Sequence, residues 1–240
     1  MNIKNGLRSL LIFFHLDLTK NLEYDRLTES IMKRVIKRDS NCIDVGCHKG
    51  EILNSILKYA PEGKHFAFEP IPYLFTQLEN KFKNKAVIYS YALSDKSGVS
   101  SFQLVKNAPA YSGINKRKYD ISNPEIEEIK VELKMLDEII PIETKINFIK
   151  IDVEGAEFGV LKGAKSLLIK NRPTVIFECG LGASDYYNTD PILLYNFMTQ
   201  TVGLKIYTLR AFIKNNQPLT ASDFEHCYKK NTEYYFIASI

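Results

Sequence analysis

The chain predicts an α/β fold, a mostly parallel sheet with helices packed on both faces. Three observations carry that expectation. Short apolar runs alternate with stretches of helical apolar spacing through most of the 240 residues. The first run, residues 42–45, leads through a glycine turn into an amphipathic helix, the opening of a nucleotide-binding unit. The runs also end in acidic or small polar residues: Asp44, Glu69, Ser94 with Asp95, Asp152 and Glu178. In an open sheet those ends converge on one rim, where ligands sit.

The elements follow in order. Residues 1–22 read as an N-terminal extension, and residues 23–240 as one domain. Within the extension, the apolar stretch 10–16 is too short to span a membrane. It reads as a packing segment that could join two copies of the chain. Tyr24, Leu27, Ile31, Val35 and Ile36 make one stripe, which predicts a helix over 23–37. After the first strand and Gly50, a helix carries Ile52, Leu53, Ile56 and Leu57. The turn Pro61-Glu62-Gly63 precedes a strand at 65–68. Pro72 suits the first turn of the next helix, whose buried face is Leu74, Phe75, Leu78 and Phe82.

A third strand is predicted at 86–91. Lys96-Ser97-Gly98 then turns the chain into an added strand at 99–105. Residues 106–130, with Pro109, Gly113 and Pro124, read as a long loop of the kind that serves as lid or binding element. Residues 131–137 fit no single element. Strands follow at 145–151 and 174–177, separated by one helix with the stripe Val160, Leu161, Ala164, Leu167 and Leu168. Asp190 caps a helix that has Pro191 at its first position. Strands at 204–209 and 234–239 complete the set.

Composition excludes more than it assigns. The formal net charge is +4, with the basic residues spread along the chain, so nucleic acid is not implied. The one local cluster, Lys116-Arg117-Lys118, reads as a solvated loop. The four cysteines, Cys42, Cys47, Cys179 and Cys227, form no CxxC pair and no Cys/His metal spacing. Free thiols in a reducing compartment, and hence a cytoplasmic protein, fit best.

The glycine turn has the pattern Asp44-x-Gly46-x-x-x-Gly50. A dinucleotide site wants G-x-G-x-x-G, and His48 stands where its second glycine would be. No pyrophosphate cradle is evident, which counts against an NAD-dependent or nucleotide-sugar oxidoreductase. Glu69, at the end of the second strand, suits both hydroxyls of an adenosine ribose. Asp95 suits either an adenine amino group or a turn. A second anchor is the turn holding Asp152, Glu154 and Glu157. Acids so crowded favour a positive ligand, a hydrated divalent cation, or a capped helix N-terminus. No metal-ligand set is assigned among them.

Lys150-Ile-Asp-Val-Glu-Gly-Ala-Glu157, followed by Val160-Leu161-Lys162-Gly163-Ala164, resembles the signature block of the FkbM-type SAM-dependent methyltransferases (SAM, S-adenosylmethionine). Asp44-Val-Gly-x-x-x-Gly50, Phe68-Glu-Pro70, Ala92-Leu-Ser-Asp95 and Leu136-Asp137 match other blocks of that family in order. The resemblance covers roughly residues 24–210. Cys47-His48 departs from it, since the family commonly has Ala-Asn there.

The resemblance implies the class I methyltransferase sheet of seven strands, with one antiparallel strand near the end. It implies SAM as donor and a hydroxyl acceptor, often on a sugar or another small metabolite. Asp44, Gly46 and Gly50 would line the methionine side of SAM, with His48 in the same turn. Glu69 would hold the ribose, Ser94 and Asp95 the adenine, and Asp152 would lie nearest the methyl group. An aliphatic hydroxyl needs a general base. Glu154 and Asp152 are the candidates, with His48 as rival because it titrates near neutrality. The loop at 107–119 would select the acceptor. A non-catalytic module of the same fold, binding a partner through its N-terminal segment, is the other alternative.

Overall fold

Alternate residues of a strand point to opposite faces, so each central strand feeds two cores. The computed structural model describes residues 19–119 and 121–240, and in it the first strand, β1 (Cys42–Val45), is buried along its whole length. Cys42 faces one side with its neighbours' Phe148, Ile176 and Ile237, against Ile31 and Met32 of helix α1 (Lys20–Val35). Ile43 faces the other side with Ile149, Val175 and Phe236, against the second layer of helices. Each fully buried side chain of this kind contributes about 1.5–3 kcal/mol. The segment 10–16 lies outside the described residues.

The remaining elements in chain order are α2 (Glu51–Tyr59), β2 (His65–Phe68), α3 (Pro72–Lys81), β3 (Val87–Tyr89), β4 (Tyr91–Leu93), β5 (Gly98–Val105), β6 (Ile126–Lys134), α4 (Leu136–Ile139) and β7 (Phe148–Ile151). Then come α5 (Glu157–Gly163), α6 (Lys165–Asn171), β8 (Thr174–Glu178), α7 (Pro191–Asn196), β9 (Lys205–Thr208), α8 (Leu209–Ile213), α9 (Ala221–Lys230) and β10 (Tyr235–Ser239). The main sheet has the order β3-β2-β1-β7-β8-β10-β9. Strands β1, β2, β3, β7 and β8 pair in parallel, and β10 runs antiparallel to both β8 and β9. This is the seven-stranded sheet expected, with the antiparallel strand at the chain end.

Elements that differ from the sequence expectation include these four. Helix α1 begins at Lys20 rather than at residue 23, because Thr19 caps it by accepting from the Leu22 N–H at 3.3 Å. The strand expected at 86–91 divides at Ser90. β3 stays in the main sheet, while β4 leaves it for a small sheet of order β4-β6-β5. The loop expected over 106–130 ends early, since β6 starts at Ile126 and pairs antiparallel along all of β5. Its outward residues are charged and Ile126 is exposed, so the alternation is weak at its start. The single helix expected after Asp152 breaks at Ala164, where Gly163 packs on the Ser94 carbonyl. Asp137 accepts from Ser166 N–H (2.8 Å) and Leu167 N–H (2.9 Å), giving α6 its own cap.

Candidate active site

The site begins where β1 stops. Gly46 and Cys47 both donate to the Phe68 carbonyl, at 2.9 and 3.1 Å, and Asp152 N–H donates to the Val45 carbonyl at 3.0 Å. The ends of β1, β2 and β7 are thereby stitched together. Gly46 has φ +76°, and a Cβ there would run into the Asp152 carbonyl. Only glycine tolerates both conditions. Gly50, at φ +72°, opens α2 and abuts the Phe82 ring. Between them His48 also takes a left-handed conformation, φ 48°. Its N–H donates to Glu69 at 2.9 Å.

Glu69 is thus held by two backbone donors, His48 and Ile71, the second also at 2.9 Å. It is 4% exposed, and burial raises its pKa to about 7 against the pull of those two bonds. Asp44 is buried too, with Oδ2 lacking a hydrogen-bond partner among the described residues. Burial raises its pKa to about 7, and Lys150 opposes the rise. The His48 ring is half-buried with Nε2 likewise unpartnered, and desolvation lowers its pKa. Burial thus favours the neutral imidazole.

An acidic corner adjoins this turn. Asp152 Oδ2 accepts from Lys150 Nζ at 3.0 Å and from the Tyr235 hydroxyl at 2.5 Å. Lys150 is 3% exposed and lies over the Tyr235 ring. Glu157, at the start of α5, accepts from Val153 and Gly155 N–H through Oε1. Burial pushes its pKa up to about 7. Glu178, at the end of β8, is half-buried and rises to about 8 through burial and the charges of Asp152 and Glu157. Glu154, in a left-handed conformation at φ 59°, pairs with Arg117 from the loop before β6.

Two cavities meet at these residues. A cleft between the β1 and β2 ends is lined by Gly46, Glu69, Ile71, Leu93 and Phe102. A wider polar groove is lined by Lys150, Glu178, Tyr234, Tyr235, Tyr111 and Asp44. Gly46, His48, Asp152 and Glu154 line both. The structure thus brings together Asp44, Gly46, His48, Glu69, Asp152 and Glu154. Gly50 lies one step back, supporting the turn. Ser94 and Asp95 line neither cavity: along β4 the cleft's lining reaches Leu93, and Asp95 is bound by Lys162.

The sequence did not point to Lys150, Tyr235 or Arg117. A lysine inside the apolar run Phe148-Ile-Lys-Ile was the available signal for the first. For Tyr235 there was none, since its place depends on β10 pairing with β8. Arg117 corrects the solvated reading of its cluster: Lys116 and Lys118 are exposed, but Arg117 is turned inward, over the Tyr111 ring and onto Glu154.

A sheet of this order, with β10 inserted antiparallel and a glycine turn after β1, is the class I methyltransferase fold. Residues 44–201 match the methyltransferase FkbM domain, and the chain belongs to that family. Over 173 residues it is 25% identical to the 2-O-methyltransferase NoeI of Sinorhizobium fredii, an alignment taking in 64% of this chain and 68% of the relative. Its fold resembles the solved methyltransferase FkbM of Methylobacillus flagellatus, with TM-score 0.52 and 14% identity over 85% of this chain. This chain spans 44% of that one, less than half its length.

The protein is a methyltransferase, and SAM is its methyl donor. The residues fit that group. The glycine turn leaves the backbone open to close approach, Glu69 lies on the cleft wall, and Asp44 Oδ2 and His48 Nε2 are buried polar atoms without partners.

Proposed function

We propose that the chain transfers a methyl group to a hydroxyl oxygen of a small polar acceptor, a saccharide or a related metabolite, and not to nucleic acid. The observation that carries this is the meeting of a largely apolar cleft with a polar, tyrosine-edged groove at His48, Asp152 and Glu154. One cavity suits the donor and the other a hydroxyl-rich acceptor. The 2-O-methyltransferase among its relatives supports oxygen as the target.

When bound, SAM supplies a methyl group activated by its sulfonium. In this proposal Asp44, Gly46 and Gly50 hold the methionine side, the His48 backbone shapes the same turn, and Glu69 takes the ribose hydroxyls. The adenine lies toward Ala92 and Leu93, with Ser94 and Asp95 shaping that wall from behind. Alignment of acceptor and methyl is the main contribution of the protein. The proton of the hydroxyl goes to His48. Burial favours its neutral imidazole and its Nε2 is unpartnered, whereas Glu154 is committed to Arg117 and Asp152 already accepts from Lys150 and Tyr235. His48 would hold the proton of that hydroxyl while bound SAM would supply the methyl group to its oxygen. Asp152 and Glu154 position the acceptor. A cytoplasmic location belongs to the same proposal and rests on four unpaired thiols.

The test is transfer of label from SAM to a panel of saccharides. His48→Asn should lower kcat about 100-fold or more with S-adenosylhomocysteine (SAH) affinity nearly kept. Equal loss of both would reject the base assignment. SAH binding with no transfer to any hydroxyl acceptor would favour the non-catalytic alternative.

A further inference from the structure

We propose that Asp152, Glu157 and Glu178 form a divalent-cation site at the carboxyl ends of β7 and β8. Its ligand is a hard, oxygen-preferring ion such as Mg²⁺ or Mn²⁺. The three residues come from two neighbouring strand ends and the start of α5, and one carboxylate oxygen of each lies within 4.8 Å of the other two. That spacing leaves room for one ion bridging three oxygens, the donor type such ions select. The second observation is Glu157 itself. The residue is 1% exposed, its Oε1 is used by two backbone donors, and its Oε2 is buried with no hydrogen-bond partner. A buried carboxylate oxygen without a partner is costly unless a ligand completes it.

Charge points the same way. The acids facing this corner are Asp44, Asp152, Glu154, Glu157 and Glu178, and the facing cations are Lys150 and Arg117. Arg117 is paired with Glu154, and Lys150 with Asp152. Glu157 and Glu178 are left without an ion pair among the described residues, and a dication balances those two carboxylates.

The ion's role rests on the methyltransferase reading above. Three protein oxygens leave coordination positions open toward the groove for water and for the acceptor. An ion there would orient the acceptor's hydroxyl beside His48 and make its proton easier to remove.

The experiment uses the full chain stripped with chelator, with Mn²⁺ as probe, followed by electron paramagnetic resonance and calorimetry. SAH binding is measured in parallel. The expected result is one Mn²⁺ per chain, bound about tenfold or more weakly in Glu178→Gln and in Glu157→Gln. SAH affinity of Glu178→Gln should stay within about threefold of the parent. Should Glu157→Gln fail to fold, Glu178→Gln carries the comparison alone. A parent chain that binds SAH but takes up no Mn²⁺ overturns the site, as does Mn²⁺ binding that Glu178→Gln leaves unchanged. If Glu178→Gln instead abolishes SAH binding, the corner serves the donor's own positive charge and the cation site is rejected. Mn²⁺ binding without SAH binding would keep the site and reject the function proposed above.

Discussion

At the scale of single residues, the site depends most on Gly46. Its positive φ costs an L-residue about 1–2 kcal/mol, and a Cβ would also overlap the Asp152 carbonyl. Gly46→Ala should therefore lower stability by about 2–5 kcal/mol, read from the urea midpoint. An unchanged midpoint would show that β1 and β7 are not locked together there. Glu69→Ala removes a carboxylate proposed to accept two ribose hydroxyls. SAH affinity should fall at least about tenfold by calorimetry, since hydrogen bonds to a charged group contribute about 1.5–3 kcal/mol. Both positions were legible in the sequence, because a glycine turn and a strand-end acid are local patterns. Lys150 and Tyr235 were not. They meet only because β8 lies between β7 and β10, a pairing that no local spacing announces. Ser94 and Asp95 are a different case. Their position after a strand suggested a ligand contact, yet β4 has left the main sheet and Asp95 turns to Lys162.

At the scale of elements, the loop between β5 and β6 behaves as a strap. Asn115 N–H donates to the Tyr187 hydroxyl at 2.9 Å, Lys118 N–H to the Gly182 carbonyl at 3.2 Å, and Arg117 reaches Glu154. The loop is thus tied to the turn after β8 and edges the polar groove. Arg117→Ala removes the charged tie and leaves Glu154 half-buried without it. Trypsin should then cut at Lys116 or Lys118 several times faster, while SAH affinity changes little. Cutting at the parental rate would mean that the backbone bonds alone hold the strap. The sequence marked this loop as a binding element but ran it five residues too far, to 130 rather than 125. Ile126, Ile129, Val131 and Leu133 do mix odd and even positions, which blurs the period-two signal until the partner strand is known. Helix α9 was missed although Thr220 and Asp223 form a capping box ahead of Phe224. Its apolar face is narrow, and its anchors Phe224 and Tyr228 gain meaning only against α7 and β10.

At the scale of the whole molecule, a rim of buried acids should show in the pH dependence of stability. Asp44 and Glu69 have folded pKa values of about 7, above unfolded values near 4. The folded chain therefore binds more protons than the unfolded one between those limits. The stability these groups contribute is complete below about pH 4 and is lost as pH rises through 7. Glu157 and Glu178 carry the same sign. His48 and His65 carry the opposite one. Their folded pKa values are depressed, so their contribution is lost as pH falls and is complete above 6.5, the unfolded value. Between about pH 6.5 and 8 only the acids act. Ligand-free protein in chelator should accordingly lose stability over that interval, read as a falling urea midpoint. Glu69→Gln, which cannot ionise but keeps a carbonyl for one of the two N–H donors, should flatten the fall. SAH should restore part of it, because an ionised Glu69 accepts the ribose hydroxyls more strongly than a protonated one. A midpoint that stays flat from pH 6.5 to 8 would mean these carboxyls are already charged in the folded chain, with compensation from groups other than those facing them here.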